Sequence, residues 1–148
     1  MRLELTRRAD YAIRATICLA RERRGQLVPA PEIARRMDVP KRFLPQIMQD
    51  LVRAELVEAT PGRGGGYQLT RPPGEVSLLE VIEAAEGDAR RRKCVLGSSN
   101  CDATRACGIH DIFAAAQDAL LDRLADSTIL DAAQASDGAS NTAHTLGS

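Results

Sequence analysis

Apolar positions in the first third of the chain recur at helical spacing. From Thr6, a side chain able to cap a helix, Ala9, Ala12, Ile13, Thr16, Ile17 and Ala20 mark one face of a helix predicted to run to about residue 23, with Gly25 as its stop signal. Cys18 falls on that helix between Ile17 and Leu19 and reads as a small buried hydrophobe. Pro31 suits the first turn of a short second helix over PEIARRM, and DVP breaks the chain after it. A third helix over about 41–54 brings Leu44, Ile47, Met48 and Leu51 to one face. Pro45 is tolerated there because first-turn N–H groups have no partner within a helix.

Beyond residue 55 the rhythm changes. LVEAT reads as a strand, PGRGGG as a turn and YQLT as a returning strand, with RPPG as a rigid corner. SLLEVIEAAEG is a helix with Ser77 and Glu80 in capping-box relation and Gly87 as its stop. Residues 88–108 form a loop. From 109 to about 125, Ile109, Ile112, Phe113, Ala116, Ala119, Leu120 and Leu124 make one apolar stripe on a long helix. Residues 132–148 show no periodicity and are expected to be a disordered tail. The order helix, helix, break, helix, strand, glycine turn, strand predicts a mainly α fold with a small β-hairpin. It is a winged helix-turn-helix domain over 1–87, whose third helix projects toward a major groove.

Composition narrows the compartment and the partner. With 148 residues and a hydrophobic fraction of 44%, the chain suits one domain with an appendage. No apolar run reaches membrane-spanning length, and the charged start MRLELTRRAD lacks a leader's apolar stretch. A cytoplasmic protein with no membrane partner is expected. The net charge of zero conceals a division: residues 1–73 hold 14 Arg/Lys against 8 Asp/Glu, and residues 74–148 hold 6 against 12. A basic first half fits a polyanion such as DNA. Aromatics at 3% and no Trp argue against an RNA-stacking surface. With His110 and His144 as the two histidines, a Ser/His/Asp or His-rich active site has little to build on, and no enzyme is expected.

The candidate DNA contacts follow from side-chain chemistry. Lys41 and Arg42 lie where phosphates or guanines would be met, and Gln46 and Gln49 have the amide geometry for adenine. Arg7 and Arg8 are cationic candidates at the start of the first helix. Taken alone, such residues are more often the mark of a solvated helix face. The wing is more telling. Three consecutive glycines, Gly64, Gly65 and Gly66, are costly in a plain connection and suit close backbone approach to another surface. Arg63 stands at the tip, placed for a minor groove. A phosphate-binding loop is disfavoured because no Lys-Ser/Thr pair follows.

The loop carries the remaining chemistry, with the spacing Cys94-x6-Cys101-x5-Cys107-x2-His110. Three thiolates and an imidazole make a full ligand set for a soft or borderline metal centre. Arg90, Arg91, Arg92 and Lys93 favour thiolate at the first cysteine. The gaps exceed those of zinc knuckles, and Gly97, Ser98 and Ser99 let the loop wrap something bulky, which suits an iron–sulfur cluster. Zinc, or a thiol-only redox switch, is the alternative. No C-x-x-C occurs, which disfavours thioredoxin-type chemistry.

These motifs together resemble the Rrf-two family of bacterial winged-helix transcription regulators, which includes IscR, NsrR and RirA. The markers are LTRRADYAIRA, PEIARRMDVPKRFLPQIMQDLVRAELV, GRGGGYQL, VSLLEVIEAAEG and the cysteine loop, and they span residues 1–131. The resemblance implies a homodimer on pseudo-palindromic promoter DNA, with 109–131 as the dimerisation helix. It implies that Cys94, Cys101 and Cys107 hold an iron–sulfur cluster whose state changes promoter affinity. Members differ in the fourth ligand: His110 matches one kind, fitting a 2Fe–2S form, and Asp10 of the partner subunit matches another, fitting a 4Fe–4S form. His110 and 2Fe–2S are preferred. The implied function is a regulator, by preference a repressor, that senses redox state, nitric oxide or iron supply. A DNA-free iron–sulfur interaction module is the rival reading. Pro61 stands where many members carry arginine, so minor-groove contact shifts to Arg63. Pro45 replaces a polar base-reading residue, so no operator sequence transfers.

Overall fold

The first helix is opened by Thr6, whose hydroxyl accepts the Ala9 N–H at 3.2 Å in the computed structural model, which describes residues 3–89 and 107–145. Helix α1 (Arg7–Ala20) buries Ala9, Ala12, Ala15 and Cys18 and stops short of the expected residue 23. The Arg21 N–H is shared between the Ile17 and Cys18 carbonyls, tightening the last turn and ending the helix. Helix α2 (Ala30–Met37) carries Pro31 in its first turn and closes on Asp38, which takes a left-handed conformation at φ 53°. The Val39 N–H then reaches back to the Ala34 carbonyl at 3.1 Å, and Val39 is buried.

Helix α3 (Leu44–Arg53) begins later than the expected residue 41. A helix from Lys41 would need the Pro45 N–H to bond the Lys41 carbonyl, and proline has no N–H to give. Lys41, Arg42 and Phe43 instead form a turn, with the Phe43 N–H bonded to the Pro40 carbonyl at 3.0 Å. The predicted stripe holds: Leu44, Ile47, Met48 and Leu51 are all buried.

The wing is an antiparallel hairpin of β1 (Val57–Thr60) and β2 (Gly66–Leu69), in the register Val57↔Leu69 to Thr60↔Gly66. Val28 adds a one-residue bridge to Tyr67, exchanging backbone bonds of 3.0 and 2.9 Å. That bridge ties the α1–α2 connection to the wing. A 3-10 turn at Pro73–Glu75 makes the predicted corner. Helix α4 (Leu78–Glu86) starts with the predicted capping box: the Glu80 N–H donates to Ser77 Oγ at 3.1 Å, and the Ser77 N–H donates to Glu80 Oε2 at 2.9 Å. Gly87 ends it at φ 88°.

The carboxy-terminal part departs from the expectation. Instead of one helix over 109–131 and a disordered 132–148, there are two helices, α5 (His110–Asp126) and α6 (Ile129–Thr145). Ile129 and Ala133 of α6 are buried in the main core, and Arg21 of α1 bridges Asp137 at 2.9 Å. The stripe escaped notice because alanine and serine carry it. Its start, however, has the form Thr128-x-x-Asp131, and those residues exchange side-chain bonds of 2.9 and 3.2 Å. Between the helices, Ser127–Ile129 pairs with Val76–Leu78 through two backbone bonds of 2.9 Å. The stripe on α5 is mostly uncovered, with Ile112 69% and Leu120 45% exposed, while Leu121 packs inward.

Val28, Ile33, Leu44, Ile47, Met48, Leu51, Val81 and Ile129 are among the side chains that fill one core, each aliphatic contributing roughly 1.5–3 kcal/mol when fully buried. Among the described residues no helix is long and apolar enough to cross a membrane.

Candidate nucleic-acid interface and cysteine site

Burying one face of α3 fixes what the other face offers. Pro45, Gln46 and Gln49 are exposed, and Lys41 and Arg42 are exposed in the turn before the helix rather than on it. Arg42 is nonetheless placed. Its guanidinium lies 4.7 Å from the Phe43 ring centre, and that ring stacks on Tyr11 of α1 with centroids 5.7 Å apart. The Tyr11–Phe43–Arg42 stack was not read from sequence. Phe43 falls just outside the α3 stripe and looks like an ordinary core residue there.

Behind Gln46 lies a second feature absent from the sequence reading. Asp50 projects from the buried flank of α3 and is 4% exposed. Its Oδ2 pairs with the Arg8 guanidinium, and its Oδ1 accepts from Gln46 Nε2 at 3.1 Å, with Arg53 further off at 3.7 Å. Arg8 therefore comes to α3 through a carboxylate. Arg7 beside it is exposed. A buried carboxylate demands such partners, since desolvating a lone charge is prohibitive.

Part of the basic half is internally compensated. Glu32 of α2 accepts from Arg35 at 2.6 Å and Arg36 at 2.7 Å, and Arg36 also pairs with Glu22. Hydrogen bonds from Arg35 and then Arg36 hold the Glu32 carboxyl at about 2, well below the usual carboxylate range. Cationic groups exposed around α3 and the wing include Arg7, Lys41, Arg42, Arg53 and Arg63.

At the wing, Arg63 is exposed at the tip, as expected. The glycines also have a reason within the fold. A Cβ on Gly65 would lie 2.1 Å from the Thr60 carbonyl oxygen, and one on Gly66 would lie 2.6 Å from the Val28 carbonyl. Gly65 is demanded by the hairpin's own backbone, and Gly66 by the close approach of the α1–α2 connection. Gly64 meets nothing within 4 Å and takes φ 77°, so it serves the turn.

Of the cysteine set, Cys94 and Cys101 lie outside the described residues. Cys107 is half-buried, and its carbonyl accepts the His110 N–H at 3.0 Å at the start of α5. One turn therefore holds a thiol and an imidazole, both ligand types for a soft or borderline centre, and the two residues fit a shared group. Asp10 of α1 is elsewhere engaged: its Oδ1 accepts from Arg14 Nε at 2.9 Å, and Arg14 also donates to the Met37 carbonyl at 3.3 Å. Among the described residues no three metal-ligating side chains converge, so Asp10 is not gathered with Cys107 and His110 within one chain. Cys18 is buried at 1% exposure, and burial pushes its thiol up, keeping it protonated and apart from this chemistry.

Comparison with known proteins completes the picture. The Rrf2 family model, described as "Iron-dependent Transcriptional regulator", matches residues 5–135. The chain is 35% identical over 135 residues to the protein aau3 of Rhizobium meliloti, covering 90% of this chain and 86% of that one. It is 32% identical over 130 residues to the HTH-type transcriptional regulator NsrR of Bacillus licheniformis, covering 87% and 91%. Among solved structures it resembles CymR, the global cysteine regulator of B. subtilis, with a TM-score of 0.75 at 21% identity over 90% of this chain and 98% of that one. At that identity the likeness establishes a shared winged-helix fold.

Proposed function

The chain belongs to the Rrf2 family of DNA-binding transcriptional regulators, and on that premise we propose that it is a cytoplasmic homodimeric repressor whose promoter affinity depends on an iron–sulfur cluster. The observation that carries the cluster is the turn joining Cys107 to His110 by a 3.0 Å backbone bond, downstream of Cys94 and Cys101. Cys94, Cys101 and Cys107 would hold the cluster and His110 would complete a 2Fe–2S form. Asp10 of a second copy is the alternative ligand, for a 4Fe–4S form. When bound, such a cluster supplies a charge and bond set that changes with redox state, nitric oxide or iron supply.

The chain's own residues couple that site to DNA. Glu86, at the end of α4 and before the cysteine segment, accepts from the backbone and hydroxyl of Thr6 at the cap of α1. Helix α1 carries Arg7 and Arg8, and Arg8 reaches α3 through Asp50. Gln46 and Gln49 meet base edges, Lys41, Arg42 and Arg7 meet phosphates, and the hairpin of Gly64 and Gly65 presents Arg63 to the minor groove. The open face of α5 pairs two copies, so two reading heads address a pseudo-palindromic promoter site.

Anaerobic purification of the full chain tests the reading. Visible iron–sulfur absorption with iron and sulfide bound supports it, as does a spectrum altered by His110→Ala. A spectrum altered by Asp10→Ala instead moves the fourth ligand to the partner. Colourless protein with stoichiometric zinc sinks the cluster in favour of a zinc site. Binding to promoter DNA that ignores salt sinks the reading heads.

A further inference from the structure

Asp50 is the charged side chain that the core admits among the described residues, and nothing in the regulator's family membership requires it there. We propose that Asp50 is a positioning residue for base recognition: it fixes the side-chain amide of Gln46 so that α3 reads adenine. The proposal rests on the base-reading role given to Gln46 above.

An ionised carboxylate only accepts hydrogen bonds. The group that Gln46 turns toward Asp50 Oδ1, 3.1 Å away, must therefore be its nitrogen and never its oxygen. The other carboxylate oxygen is engaged by Arg8, so Asp50 cannot turn to free Gln46 without breaking its ion pair with Arg8. One Nε2 proton is thereby consumed. The second proton and Oε1 remain on the exposed side of the helix, in a fixed left-to-right order. That donor–acceptor pair is the complement of adenine, whose N7 accepts and whose N6 amino group donates. Guanine offers two acceptors, N7 and O6, and leaves Oε1 facing a like charge. A glutamine on a bare helix face rotates freely and loses that order. Fixing the amide before binding also removes rotamer freedom that would otherwise be lost on the DNA.

The probe is a random-sequence duplex library, from which the full wild-type chain is used to enrich binding sites. The wild type should enrich an adenine at one position of each half-site. Asp50→Asn, which lets the amide pair adopt either order, should cut discrimination against guanine there by about tenfold. Affinity for a scrambled duplex should not fall, because Arg8 is released rather than lost. Gln46→Ala should abolish the same discrimination, and Asp50→Asn added to it should change nothing further. Unchanged adenine preference in Asp50→Asn overturns the proposal, as does an equal loss of affinity for selected and scrambled duplexes.

Two further outcomes keep the test decisive. In the wild-type chain, one Nε2 proton of Gln46, assigned by its absence in Gln46→Ala, should resonate downfield of solvated glutamine amides. A shift typical of solvated glutamine overturns the proposal even if Asp50→Asn fails to fold. A wild-type chain that enriches no sequence sinks the base-reading role beneath it, whereas an enriched site with no adenine requirement sinks the role of Asp50 alone.

Discussion

Thr6 and Glu86, eighty positions apart in the chain, meet at one carboxylate oxygen: Glu86 Oε1 accepts from the Thr6 N–H at 3.0 Å and from its hydroxyl at 2.5 Å. The same hydroxyl caps α1 by accepting the Ala9 N–H. Thr6→Ala removes the cap and the hydroxyl half of the link, leaving the backbone N–H bond, and should cost about 1–2 kcal/mol in denaturant titration. In a Glu86→Ala background the same change should cost less, because part of its effect runs through Glu86. Additive losses would mean that the two residues are not coupled.

Glycine substitutions in the wing should separate packing from turn geometry. Gly66→Ala forces a Cβ against the Val28 carbonyl and should cost about 1–3 kcal/mol through backbone displacement. Gly64→Ala meets open space and should cost only the left-handed conformation, about 1–2 kcal/mol. Thermal melts of the two variants, with Gly66→Ala the lower, are the check.

Arg63 at the exposed wing tip should act through charge. Arg63→Ala should weaken binding across DNA sequences and lower the slope of log affinity against log salt by about 1. A loss confined to one sequence would reassign Arg63 to base reading.

The uncovered stripe on α5 predicts an oligomeric effect. Ile112→Glu places a charge on a side chain that is 69% exposed in one chain, so a monomer should fold normally. Sedimentation should show wild-type dimers and variant monomers, with affinity for a two-half-site duplex reduced. Dimers persisting in the variant would place the contact elsewhere.

Glu80 should give the acid limb of stability a measurable component. Burial raises its pKa, but the Ser77 backbone bond and Arg71 at 2.8 Å outweigh it, and the net shift is downward from 4.5. Its stabilising contribution is therefore present above the unfolded carboxylate range and is lost as pH falls through the lower folded value. Melting temperatures followed downward from pH 5 should fall less steeply in Glu80→Gln than in the wild type.

Much of this architecture was legible because it rests on local signals. The spacing of Leu44, Ile47, Met48 and Leu51, the Ser77–Glu80 box and the glycine turn each specify an element from within about ten residues. What escaped depends on distant partners. Asp50 looks like a solvated acid until Arg8, 42 residues away, is seen beside it. Val28 is a strand of one residue, defined only by Tyr67. Helix α6 hides its buried face in alanines, although Thr128 and Asp131 announce its start. On α5 the helix was legible, but the residue it buries, Leu121, lies outside the predicted stripe, most of which is exposed. The wing glycines were legible as a run, but the contacts that require Gly65 and Gly66 were not, because one lies across the turn and the other at Val28.

The pairing of Ser77 with Thr128 has a mechanical consequence. Backbone bonds on both sides of Thr128 fasten the far end of α5 to the residues that precede α4. Sliding of α5 along the core would break both bonds, whereas a tilt about that fastening would keep them. Seventeen residues make a rod about 26 Å long, so a tilt of about 10° sweeps its opposite end, where His110 stands beside Cys107, through about 4 Å. A fastening at one end and the Cys107–His110 turn at the other give α5 the geometry of a lever. A displacement of the Cys107–His110 end would therefore be carried along the whole arm, including its open face.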